Sequence, residues 1–276
     1  MSTGTPPAGY AYYRRHIITT ADAALAAGDY AFADQLIETL NLAPWKFGTA
    51  TAQPLMLSFW VRSSVAGTFG GALCNSGESR NFGFTYTISA VNTWEYKTVA
   101  ITGGTTGTWA TNNTTAVRLI WDLGLGSTFQ GVAGWQSTAN ILTVAGCTKL
   151  SATLNASLDF AGVQLELGTV ATGFEHRTVT DDHLRCLRYY ENFNGTQTTW
   201  CGDVTNAFGY YGDVKYKVPK RIPPTVALSY VGNNGFVGTV PSIDINATEM
   251  FRYVKTANAT ANGAYMVFTI IASAEF

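Results

Sequence analysis

This sequence predicts an all-β protein, built as a sandwich or jelly roll and divided by one short helix. Three observations lead there. Thr is abundant, aromatics reach 13% and there are 28 Gly, while Lys, Glu and Gln are scarce. β-branched and aromatic side chains suit a pleated, half-buried surface, and Gly supplies turns. Apolar residues also alternate with period two along several short segments, and pieces rich in Gly and Thr separate them, as in sandwiches.

Along the chain, Thr20–Asp29 (TADAALAAGD) is rich in Ala, but its length and Gly28 predict a long loop with one helical turn. In Leu55–Arg62 (LMLSFWVR), Leu55, Leu57, Phe59 and Val61 share one face, and Met56, Ser58, Trp60 and Arg62 the other. Asn81–Ile88 alternates in the same way, with Phe82, Phe84, Tyr86 and Ile88 on one side. Trp94–Ile101 and Val117–Leu123 follow as strands, with the turn-rich Thr102–Thr108 (TGGTTGT) between them. Phe59, Tyr86 and Trp121 are the expected core aromatics. Thr180–Glu191 (TDDHLRCLRYYE) predicts a helix: Thr180 or Asp181 can cap its first turn, and the Asp pair suits the positive end of its dipole. Strands resume at Gly212–Val218, Thr225–Tyr230, Met250–Lys255 and Tyr265–Ala272. The expected organisation is a β-sandwich over residues 1–178, a connecting helix over 179–192 and a C-terminal β domain over 193–276.

Composition then narrows the function. The 276 residues are 46% hydrophobic, enough for a sizeable core. Charged residues are only 13%, against roughly 25% in ordinary soluble domains. With 17 Lys+Arg against 18 Asp+Glu there is no basic field for a phosphate backbone, so no nucleic-acid partner is expected. Apolar runs fall short of the roughly 18–20 residues of a membrane helix, so no membrane insertion is expected. The opening MSTGTPPAGYAYYRR lacks the apolar stretch of a secretory signal, which predicts no Sec-type export. Cys74, Cys147, Cys186 and Cys201 are too few and scattered for a disulfide scaffold, so reduced thiols are expected.

Catalytic chemistry finds little to build on. His16, His176 and His183 lie outside any nucleophile motif. His183 and Cys186 could share a helix face, but a structural zinc needs four ligands and no second pair has suitable spacing. Glu166 and Glu175 are the nearest approach to a carboxylate pair, but Glu166 alternates outward beside Leu165 and Leu167, and Glu175 is expected at a corner, paired with Arg177. No catalytic residue, metal ligand or cofactor is therefore assigned. A structural calcium held by backbone carbonyls would leave no sequence signature. Lys215, Lys217, Lys220 and Arg221 form the one basic cluster; Lys215 and Lys217 should point out of the sheet, where charge guards a strand edge.

Three stretches carry a resemblance. Leu57–Phe69 (LSFWVRSSVAGTF) leads on to NTWEYKTVAITGGTTGTWAT at Asn92–Thr111. Gly162–Arg177 (GVQLELGTVATGFEHR) runs into DDHLRCLRYYE, and Val214–Val226 (VKYKVPKRIPPTV) precedes the terminal IIASAEF. Together, and in this order, they resemble tailed-bacteriophage tail-fibre and related virion proteins that carry a jelly roll like that of carbohydrate-binding modules. A departure is Gly173, where the family often has Pro. The resemblance implies an N-terminal jelly roll closed by the 162–177 strand, a short helix and a smaller C-terminal β-sandwich.

It also implies a non-enzymatic structural part of a virion, assembled in the host bacterial cytoplasm and in contact with other virion proteins. Fibres of this class are usually homotrimers, and Leu184, Leu187 and Arg188, at i, i+3 and i+4 on the helix, are the expected meeting face. Host-surface glycan is the expected external partner, because a β-sandwich can stack sugar rings on exposed aromatics. Trp60, on the more polar face of its strand, and Trp109 and Trp135, in Gly/Thr/Ser-rich loops, are the candidates. Packing under a loop or at a subunit interface is the competing reading for both loop tryptophans. The alternative function is a carbohydrate-binding module or capsid decoration protein without a receptor role.

Overall fold

A computed structural model describes residues 5–110, 112–193, 195–236 and 240–275. The chain divides into two compact units, Met1–Glu175 and His176–Phe276.

The first unit holds eight principal strands: β1 (Arg14–Ile17), β2 (Tyr30–Glu38), β3 (Leu55–Ser63), β4 (Gly67–Asn75), β5 (Asn81–Ile88), β6 (Glu95–Ile101), β7 (Thr115–Leu125) and β8 (Ser157–Leu167). One sheet runs β1-β8-β3-β6 and the other β2-β7-β4-β5, with every neighbouring pair antiparallel. Eight strands in that order make two interlocked Greek keys, the jelly roll. A short strand, Gly134–Gln136, extends the second sheet beside β5. Thr20–Asp29 is a loop without a helical turn.

The two sheets close on an aromatic core. Phe59 on β3 lies 5.2 Å from Tyr86, 6.2 Å from Trp121 and 5.9 Å from Phe160, so one ring meets both sheets. Leu55, Leu57, Phe59 and Val61 are all fully buried, as their alternation predicts. Each such side chain contributes roughly 1.5–3 kcal/mol by leaving water. The other face of β3 is covered too. Opposite Met56 and Ser58 stand Glu166 and Gln164 of β8, which fasten the returning segment 168–175. Thr172 donates both its N–H (2.8 Å) and its hydroxyl (2.6 Å) to the Glu166 carboxylate, and Glu175 N–H donates to Gln164 (2.8 Å). Farther along this outer face, Asp159 is buried between Arg15 (2.8 and 2.9 Å) and Arg62 (2.8 and 3.0 Å).

Strand β4 (GTFGGALCN) has three glycines and no strict alternation, yet is the centre of its sheet. A Cβ at Gly71 would come within 2.2 Å of the Ile120 carbonyl and 2.7 Å of the Phe84 ring, so glycine is what lets β5 and β7 close on it.

The second unit opens with α1 (Val179–Leu187) and continues through β9 (Tyr190–Asn192), β10 (Gln197–Val204), β11 (Gly209–Lys215), β12 (Thr225–Asn234), β13 (Ser242–Asn246), β14 (Met250–Thr256) and β15 (Ala261–Ser273). Strand β15 pairs with β9 and β10 on one side and β12 on the other, and β11-β14-β13 forms the facing sheet. Phe251 and Tyr253 from one sheet and Phe268 and Ile270 from the other share a core, making the smaller sandwich.

Two expectations need correction here. The helix caps on Thr178, not on Thr180 or Asp181: Thr178 Oγ1 accepts the Asp181 N–H (3.2 Å) and donates to its carboxylate (2.8 Å), a reciprocal cap. It also ends at Leu187, because Tyr190–Asn192 is taken up as a strand beside β15. The helix is therefore the first element of the second unit, shorter than the 179–192 connector expected.

Lys220 and Arg221, the other half of the basic cluster, are both buried. Lys220 Nζ donates to the Leu187 carbonyl at the helix end and pairs with the buried Glu191 at 2.7 Å. Arg221 donates to the carbonyls of Ala274 (2.9 Å) and Glu275 (2.8 Å). The two cations fasten the helix end and the chain's last strand. Lys215 and Lys217 do point outward while Val214, Tyr216 and Val218 turn in.

Candidate functional site

The sequence between β2 and β3 builds a wall of aromatic residues. Two 3-10 turns, Thr39–Asn41 and Ala43–Trp45, follow one another, and Lys46 then takes a left-handed conformation (φ 54°) that reverses the chain. Gly48 follows at φ +81°. Its N–H donates to the Gly104 carbonyl (2.7 Å), and a Cβ there would lie 2.9 Å from the Gly107 carbonyl and 3.0 Å from the Trp109 ring. That close approach brings the β2–β3 loop against the β6–β7 loop, which neither local sequence dictates alone.

The result is a cavity of about 350 Å³ whose lining includes Leu40, Leu42, Trp45, Lys46, Phe47, Thr49 and Trp109. This is the size of a small-ligand pocket, roughly 300–1,000 Å³. Phe47 meets Trp109 at 4.8 Å, and Trp109 meets Trp135 edge-on at 6.0 Å. Both indole N–H groups are used within the protein, Trp109 to the Thr106 carbonyl (3.1 Å) and Trp135 to the Thr102 carbonyl (2.7 Å). What Trp109 offers a ligand is therefore ring surface, with the exposed Lys46 ammonium as the site's cation.

The three predicted tryptophans part company. Trp109 lines the cavity. Trp135 stands behind it on the short strand Gly134–Gln136, paired across from Phe82 (5.3 Å), with the Arg80 guanidinium 5.2 Å over its ring. It supports Trp109 by packing. Trp60 is half-buried on the outward face of β3 against Tyr96 (5.4 Å), away from the cavity's lining. Sequence reasoning missed Trp45, Lys46 and Phe47. Their signal was present as an aromatic–basic–aromatic triplet between Pro44 and Gly48.

The helix residues are likewise divided. Leu187 is buried inside its own unit, whereas Leu184 is 46% exposed. Leu184 borders a shallow depression with Asp181, Arg185, the half-buried Arg188, Val218 and Pro219. A broader uncharged surface lies on the outward face of β15, where Tyr265, Val267, Thr269 and Ile271 alternate with the buried positions. Their cross-strand partners include Trp200, Thr198, Ser229 and Ala227, and Trp200 is 71% exposed.

Glu166 carries no sign of a general acid: the Thr172 hydroxyl and N–H hold its carboxyl below the usual range. Among the described residues no three His, Cys, Asp or Glu side chains cluster as metal ligands, and no helix is long and apolar enough to cross a membrane. All four cysteines are free. No protein-family model matches the chain, and no curated protein does.

Proposed function

We propose that this chain is a non-catalytic structural and adhesive subunit of a bacteriophage virion, a tail- or head-fibre part whose jelly roll touches host-surface glycan. The observation that carries the adhesive part is the cavity in which Trp45, Phe47 and Trp109 converge beside Lys46. Ring surface, with the Trp109 N–H already satisfied, is suited to the apolar face of a sugar ring. The virion part is supported by the resemblance. Its three stretches fall on β3–β4 and β6, on the end of β8 and α1–β9, and on β11–β12 and the end of β15. Free cysteines fit assembly in a reducing cytoplasm.

Self-association belongs to the same reading, with one change of place. Leu187 is spent within its own unit, so the uncharged sheet face around Trp200 and Ile271 is the better meeting surface for copies of this chain, with Leu184 beside the helix. The edge contacts that Phe47 and Trp135 make with Trp109 favour a second reading, an architectural or decorating part without a receptor role.

A glycan array with the full chain separates the two. Saturable binding of a neutral host glycan that Lys46→Ala weakens and Trp109→Ala abolishes supports adhesion through this cavity; no binding to any host glycan leaves only the architectural role. Antibody labelling of purified phage particles tests the virion assignment, and unlabelled particles would end it.

A further inference from the structure

Going beyond the glycan cavity, a second opening lies in the first unit, at the edge where β1 and β2 leave the two sheets apart. Arg15 turns to the outer face to meet Asp159, so Arg14 and His16, its neighbours on β1, face inward. Ala33 and Gln35 of β2 pair with the core-facing Trp121 and Leu119, so they face inward from the opposite lip. Between the lips is a slot of about 740 Å³ floored by Trp121 and Phe160; the one carboxylate in its lining, Asp34, is already paired with Arg118 at 2.9 Å.

Three features set this slot apart from a plain sheet edge. Arg15, Arg62, Arg80 and Arg118 each hold a side-chain partner, whereas Arg14 has none among the described residues. His16 packs edge-on against Phe160 at 6.2 Å, and burial, reinforced by Arg14, lowers its pKa, so it stands neutral at pH 7 as a donor or acceptor. Trp121 is buried in the floor with its indole N–H unpartnered, an uncommon state for a native core.

We propose that this slot binds a carboxylate-bearing sugar of the uronic-acid class, with the carboxylate on Arg14 and the ring over Trp121 and Phe160. An unpaired guanidinium meets a carboxylate through two parallel charge-assisted bonds, stronger than those it makes to the hydroxyls of a neutral sugar. An apolar floor and a few polar lip groups are the usual make-up of a small-ligand site.

The test is isothermal titration of the full chain with methyl β-glucuronide and, as neutral probe, methyl β-glucoside. The expected result is glucuronide binding that is about tenfold or more tighter than glucoside binding. Arg14→Gln should weaken it about tenfold or more, while Trp109→Ala leaves it unchanged. Arg14 is exposed, so the variant should fold, and an unaltered near-ultraviolet circular dichroism spectrum checks that. No glucuronide binding, equal binding of both probes, or an Arg14→Gln variant as tight as the parent overturns the proposal and leaves Arg14 as an edge guard. Loss in Trp109→Ala alone would return the ligand to the aromatic cavity and overturn this site without touching the adhesive reading.

Discussion

Replacing Lys220 by Met is the sharpest perturbation the second unit offers. Lys220 and Glu191 are both fully buried, 2.7 Å apart, and the ammonium also lies 5.0 Å over the Tyr216 ring. Burial, with Glu191 adding to it, pushes the Tyr216 hydroxyl's pKa up, so that ring stays neutral and adds no second anion beside Glu191. The remaining cation near Glu191 is Lys217, at 3.8 Å and more than half exposed. Breaking a buried pair by removing one partner costs about 3–5 kcal/mol, chiefly because the other charge stays desolvated. Lys217 can swing closer, so the lower end, about 3 kcal/mol, is expected. At about 4 °C or more per kcal/mol for a unit of this size, the second unit's Tm should fall by roughly 12 °C or more. Trp200 is the single tryptophan of His176–Phe276, so 19F NMR of 5-fluorotryptophan-labelled chain reads that unit apart from the first. The double variant Glu191→Gln with Lys220→Met removes both charges and should recover most of the loss. A single variant within about 1 kcal/mol of the parent, or a double variant no better than the single, would refute the argument.

Two more expectations follow from the first unit. Asp159→Asn keeps the shape but weakens four charge-assisted bonds from Arg15 and Arg62, so urea unfolding should show a loss of about 2 kcal/mol. Because Arg15 lies on β1 and is held by Asp159, amide exchange in β1 should quicken. Glu166 should titrate below the ordinary glutamate value, and Thr172→Val should return it toward that value in an NMR titration. Its folded-state pKa is depressed, so its contribution is present above the unfolded value and lost as pH falls through the folded one. An unshifted Glu166 in the parent would contradict the Thr172 contacts.

Much of this architecture was legible in the chain. Strict alternation marked β3, β5, β6 and β7, because a strand with one dry face must repeat every two residues. It did not mark β1 and β2, whose edge positions leave them half-solvated, or β4, whose three glycines break the alternation. The cluster Lys220–Arg221 was legible as charge but not as buried charge, since a neighbour such as Glu191, 29 residues upstream, is invisible to local pattern. The same limit governs the site. Trp109 and Trp135 could be named from their turn-rich settings, yet only the Gly48–Gly104 contact decides that Trp109 faces a cavity while Trp135 braces it.

By itself, then, the amino-acid order determined the class of the fold, the core face of its regular strands and the charge-poor surface, because each depends on composition or on neighbours two to four residues apart. Tertiary structure alone decided the sheet order, which tryptophan lines a cavity, that Leu187 is spent indoors, and that Arg14 faces a slot. Each of these depends on segments tens to more than a hundred residues apart, such as β1 against β8, whose meeting is a property of the packed sandwich rather than of either stretch.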